Sequence, residues 1–174
     1  MASVHALPGS THDEIRVARR LLGSRQQSSR ILSGRCQRGS TTPYLVELQK
    51  RLTDAANRRD LDVMMAFYAP DGVYDMPMGM GTFEGHAAVR GFIEDWWGSY
   101  EELEFEAEET LDLGNGVGFR VLIQKGRPVG SSGEVDLRYA AVSVWEDGKI
   151  ARITNYTYID DARGAAERLA RERE

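Results

Sequence analysis

A chain of 174 residues has room for one domain with a real core, and its 41% apolar content is ordinary for a globular protein. The formal charge is −5, there is a single cysteine, Cys36, and no apolar run nears the ~20 residues that a membrane helix requires. These features exclude a membrane-spanning helix and an internal disulfide scaffold, and an acidic surface repels the phosphates of nucleic acid.

The charge is divided unevenly. Residues 1–43 hold seven arginines against Asp13 and Glu14, whereas residues 44–174 hold 15 basic and 25 acidic side chains. The first segment is rich in Ser, Gly, Arg and Gln. It reads as a disordered basic tail, because the short patch "DEIRVARRLLG" offers too little apolar surface to offset the entropy of ordering it. An unstructured extension, an upstream start codon and an organellar transit peptide are the readings open for it.

The folded part begins near Thr42-Pro43, a helix entry with Pro in the first turn. Leu45, Leu48, Leu52, Ala55 and Ala56 follow at helical spacing, and "NRRD" closes that helix. Asp60 is placed to cap a second, short helix with Leu61, Met64, Met65 and Tyr68 on one face, ended by Pro70. "GVYDM" is β-branched and aromatic and reads as a strand. Val89, Phe92, Ile93, Trp96, Trp97 and Tyr100 then form a helical stripe that packs on a sheet or, in part, lines a cavity.

After Tyr100 the period falls to two. In "LEFEAEETLDL" the acids point away from the apolar residues, giving a strand with a solvated Glu row. "NG" at 115–116 and "DG" at 147–148 are hairpin signals that separate "VGFRVLIQK", "EVDLRYAAVSVW" and "IARITNYTYI". "DARGAAERLARERE", residues 161–174, reads as a polar helix or tail. Three helices followed by a curved antiparallel sheet define an α+β fold, with an apolar cone between the layers.

The stretches "NRRDLDVMMAFYAPDGVYDMP", "GTFEGHAAVRGF" and "VWEDGKIARITNYTY", in that order, resemble the nuclear-transport-factor-2-like superfamily. The nearer branch is that of SnoaL-like polyketide cyclases and ketosteroid-isomerase-like proteins, and the resemblance covers residues 44–160. It implies a pocket between helices and sheet, a homodimer, and no particular function, which has to be argued from the site. Carrying over the isomerase positions puts Met76 at the base, Leu52 at the oxyanion tyrosine and Ala140 at the acidic donor. None of these can move a proton. Comparison with limonene-epoxide-hydrolase-like members places Tyr74 at a water-holding tyrosine and Arg120 at an arginine. Met76, Leu122 and Asn155 fall where that family has its remaining polar groups.

The same register turns Tyr74, Met76, Arg120, Leu122, Arg138, Ala140, Val142, Ile153 and Asn155 inward, with Tyr68 and Trp97 added from the helices, as a ligand-binding set. Arg138 has Asp136 two residues away as an internal partner, or a ligand anion. Asp75, Asn155 and Arg120 are the catalytic candidates. Asp75 reaches the cavity only if a bulge at Met76-Pro77 rotates it inward, and otherwise stands as a rim acid in water. His86 lies at a helix start, and His5 and His12 lie in the tail, so no metal-ligand cluster is expected. "GMGTFEG" lacks the strand–turn–helix grammar of a dinucleotide loop. The expectation is a cytoplasmic domain that needs no cofactor and takes a small-molecule ligand, with neither nucleic acid nor membrane as partner. It is a cyclase, isomerase or dehydratase, or else a non-catalytic binding or dimerisation module.

Overall fold

The computed structural model describes residues 42–76 and 80–174. Residues 1–41, which make up all but the last two positions of the expected tail over 1–43, and residues 77–79, which include Pro77 of the expected bulge, lie outside the described residues. Helix α1 (Thr42–Asn57) is followed by the short helix α2 (Leu61–Met65), strand β1 (Tyr68–Met76) and strand β2 (Gly81–Glu84). Helix α3 (His86–Gly98) leads into strands β3 (Tyr100–Asp112), β4 (Val117–Pro128), β5 (Val135–Glu146) and β6 (Lys149–Tyr156). Helix α4 (Ile159–Glu172) closes the chain.

Local chemistry sets these boundaries. Asp60 accepts the Val63 amide at 3.0 Å and caps α2, satisfying one of the orphan N–H groups at a helix start. Asn115 and Gly116 both have positive φ (53° and 75°), as do Asp147 and Gly148 (50° and 76°). Both pairs therefore form the turn type that matches the twist of a hairpin.

The six strands lie in the order β2-β1-β6-β5-β4-β3. The sheet is mixed, not wholly antiparallel as the hairpin grammar implies: β1 runs parallel to β6. No hairpin links those two strands, since the rest of the sheet intervenes in the chain, so nothing in the turns fixes their direction. Strand β2 was not anticipated. It is a four-residue edge that pairs with β1 from Val73–Glu84 to Met76–Gly81.

One face of the sheet packs on α1, α2 and α3. Leu45, Leu48, Leu52, Met65, Val89, Ile93, Trp97, Leu122 and Ile153 share the core there. The opposite face carries α4, whose Ala162, Ala166 and Ala170 are buried against Val117, Phe119, Val121, Ala140 and Val142. Alanines spaced by four give α4 a smooth stripe that lets its backbone approach the sheet closely. The segment read from sequence as a polar helix or tail is thus a helix that covers one face of the sheet. The Glu row of β3 stands in solvent with cross-strand partners: Glu102 with Arg127 and Glu106 with Lys125.

Candidate functional site

Strand β1 aims alternate residues to opposite faces. Tyr74 is buried on the face toward the helices, and Met76 follows it at the mouth of the cone. Asp75 points the other way. It pairs with Arg152 and accepts the Thr154 hydroxyl at 3.2 Å, both on the neighbouring strand β6. Strand β6 alternates in step. Arg152 and Thr154 face Asp75, while Ile153 and Asn155 face inward. The Asn155 amide donates to the Tyr74 hydroxyl at 3.0 Å and to the Met76 sulfur at 3.1 Å. The candidate acid of the sequence reading is therefore not among the cavity-lining residues.

Strand β4 contributes Arg120 and Leu122, as expected. Strand β5 is the correction. A regular hairpin counted back from the Glu146–Lys149 pair sets Val142 opposite Ile153 and Ala140 opposite Asn155. The actual pairs are Ser143 with Ile153 and Ala141 with Asn155, because a bulge in β6 between Ile150 and Arg152 adds one residue. One residue exchanges the faces of a strand. Ala140 and Val142 accordingly pack under α4, and Arg138 is exposed, paired with Glu108 and not with Asp136. Tyr139 and Ala141 take the inward positions. Neither is an acid, so the donor of the isomerase mechanism is absent on either count. Tyr68, placed by the sequence at the end of the second helix, opens β1 instead. Its ring is still buried against the same cavity.

The interior has two chambers. The inner one is about 40 Å³ and is bordered by Thr53, Tyr68, Tyr74, Trp97, Arg120, Leu122, Tyr139, Ala141, Ile153 and Asn155, among others. The mouth is about 230 Å³, bordered by Met76, Met80, Trp96, Tyr100, Leu137, Tyr139 and Asn155. Trp96, Tyr139 and Asn155 border both. The α3 stripe explains the aromatic wall. Phe92 stacks between Phe83 (4.1 Å between centroids) and Trp96 (5.8 Å), and Trp96 meets Phe105 edge-on at 5.6 Å.

Arg120 is the charge in this interior. It is 5% exposed, and its Nη1 donates to Thr53 Oγ1 at 3.0 Å and to the Gln49 carbonyl at 3.4 Å. None of the ion pairs among the described residues includes it. Arg120 Nε, the Tyr68 hydroxyl and Trp97 Nε1 are buried without a hydrogen-bond partner. Burial pushes the guanidinium pKa below its usual range and pushes the hydroxyls of Tyr68, Tyr74 and Tyr139 above theirs, so the tyrosines stay neutral. The lining is thus a cation and a ring of hydrogen-bond donors, with no carboxylate beside them. Tyr139 and Trp97 Nε1 are not assigned this role from sequence; the alternation of Val135, Leu137 and Tyr139 with Asp136 and Arg138 does point Tyr139 inward, but the register counted from the Glu146–Lys149 turn points it outward. Among the described residues no group of three or more His, Cys, Asp and Glu is placed to hold a metal, and no helix is long and apolar enough to cross a membrane.

A curved mixed sheet wrapped on three helices around a donor-lined cone is a fold of the α+β class. The family model of the SnoaL-like domain matches residues 50–153, more than half of the chain, and the chain belongs to that family. No curated protein matches it in sequence. Solved structures share the fold. A nuclear-transport-factor-2-like protein of unknown function from Burkholderia pseudomallei K96243 is 21% identical, over 70% of this chain and 96% of that one, with a TM-score of 0.60. A hypothetical protein with a ketosteroid-isomerase-like fold from Catenulispora acidiphila DSM 44928 is 14% identical, over 70% and 92%, with a TM-score of 0.59. A limonene-epoxide-hydrolase-like epoxide hydrolase of M. tuberculosis is 16% identical, over 73% and 92%, with a TM-score of 0.58.

Proposed function

We propose that this SnoaL-like domain binds a small, largely apolar or aromatic organic molecule in its cone. Where it transforms that molecule, the step is of the cofactor-independent cyclase, isomerase or dehydratase type. The observation that carries this reading is the lining: a buried arginine, three neutral tyrosines, an indole N–H and the Asn155 amide around one cavity. Such donors favour negative charge on a ligand oxygen, which is what an enolate-forming or cyclising substrate develops. No carboxylate joins them, so a side-chain base for a reluctant carbon acid is missing. The substrates that suit the site carry acidic C–H bonds already and need chiefly to be held in a reactive conformation.

Epoxide hydrolysis of the limonene type is disfavoured on the same ground. Tyr74, Arg120 and Asn155 do border one cavity, but Met76 and Leu122 supply no polar group to activate a water. A second reading, a non-catalytic binding or dimerisation module, draws support from the small inner chamber of about 40 Å³, far below the ~300 Å³ at which ligand pockets begin. Native mass spectrometry of the purified protein separates the two. The first reading expects a retained organic ligand, or one captured from a panel of aromatic ketones, diketones and acids. A protein that retains and captures none of these would leave only the dimerisation module.

A further inference from the structure

We propose that the inner chamber is the seat of a single carboxylate group, so that the molecule taken up is an apolar or aromatic monocarboxylic acid. Its head sits against Arg120, and its body lies in the mouth among Met76, Met80, Trp96 and Leu137. This rests on the reading that the cone binds an organic molecule, and it names the class.

Three observations converge on it. First, Arg120 is buried without an anionic partner, and its Nε has no acceptor. Water in the chamber would satisfy the hydrogen bonds but would leave the charge uncompensated in a medium that screens it poorly. A carboxylate supplies both acceptors and charge, and it suits the planar fork of a guanidinium. Second, Tyr68 and Trp97 border the same chamber, and the Tyr68 hydroxyl and Trp97 Nε1 are also buried without a partner, which supplies donors for the remaining oxygen lone pairs. Third, the size is selective. Some 40 Å³ accommodates roughly three water-sized bodies, and a carboxylate has three non-hydrogen atoms. A phosphate monoester is larger and carries more charge than one arginine balances. The neighbouring mouth of about 230 Å³ is predominantly apolar, so the head cannot be the whole ligand. Trp96, Tyr139 and Asn155 border both chambers, and the ligand's chain passes between them.

Isothermal titration at pH 7.5 tests this with cinnamate, phenylacetate and 2-naphthoate beside their primary amides, which match them in shape and lack the charge. At least one acid should bind at least about tenfold more tightly than its amide, as a charge-assisted pair with a buried guanidinium requires. Arg120→Met should abolish that preference. Tyr68→Phe removes one hydroxyl and keeps the ring; it should weaken the acid several-fold and the amide less, because the hydroxyl's bond to a carboxylate is charge-assisted, which keeps the test open if the arginine variant does not fold. Equal affinity for acid and amide would overturn the carboxylate seat while leaving a ligand-binding cone. Failure of every acid and amide to bind would overturn both.

Discussion

Replacing Arg120 with methionine should make the unliganded protein more stable while it destroys acid binding. The side chain is 95% buried and has no carboxylate partner, and taking a cation out of water without compensation costs several kcal/mol even after relaxation. The substitution forfeits two hydrogen bonds from Nη1, to Thr53 Oγ1 and to the Gln49 carbonyl, worth about 1.5 kcal/mol each as charged donors. Neither acceptor is stranded, because Thr53 Oγ1 also donates to the Gln49 carbonyl at 3.2 Å. Methionine fills most of the vacated volume with a flexible thioether. The balance is a gain of about 1–2 kcal/mol, which for a chain of this size raises Tm by roughly 2–8 °C. The assay is calorimetric melting of protein refolded from denaturant, so that no carried-over ligand props up the wild type. A fall in Tm of more than about 5 °C would refute the reasoning, since it would mean that the charge is balanced from within the protein.

Three other outcomes follow from the same geometry. Asp75→Asn should leave ligand affinity and any turnover unchanged and cost about 0.2–1 kcal/mol in urea unfolding, the worth of a partly exposed pair with Arg152. Tyr68, Tyr74 and Tyr139 have raised pKa values in the folded state, so they stay protonated there while unfolded tyrosines ionise near pH 10. Stability is therefore intact below pH ~10 and falls above it by up to ~1.4 kcal/mol per pH unit for each tyrosine; a 295-nm titration should show these three ionising only as the protein unfolds. Ending the chain at Tyr158 should uncover Phe119, Val121, Ala140 and Val142, and light scattering should then find the shortened protein self-associating where the full chain does not change with concentration.

Much of this architecture is legible in the sequence because period and punctuation agree. The α1 stripe, the Asp60 cap, the α3 aromatic row and the two Gly-containing hairpin turns all follow from local chemistry. Alternation along "VYDM" suffices to send Tyr74 and Met76 one way and Asp75 the other, because β1 has one apolar face to satisfy. Strand β5 has two. Ser143 apart, apolar residues line both sides from Tyr139 to Trp145; the alternation of Val135, Leu137 and Tyr139 with Asp136 and Arg138 points Tyr139 inward, but the count from the 147–148 turn contradicts it, because the extra residue near Ala151 shifts the register with no mark of its own in the sequence. Tyr68 illustrates a different limit. Its spacing from Leu61, Met64 and Met65 fits a helix, yet α2 ends at Met65 and tertiary pairing draws Tyr68 into β1. The unpaired state of Arg120 is a fact of three dimensions, since it depends on which carboxylates fail to reach it.

Arg120 is the cavity's charge, and Asp75 is turned away from it. A crystal structure of the protein with a bound aromatic carboxylate tests both at once. We expect the ligand's carboxylate oxygens within hydrogen-bond distance of Arg120, with Asp75 still against Arg152 on the far side of β1. A ligand bound in the cone with its acid group in solvent, or an Asp75 carboxylate swung in to meet Arg120, would contradict it.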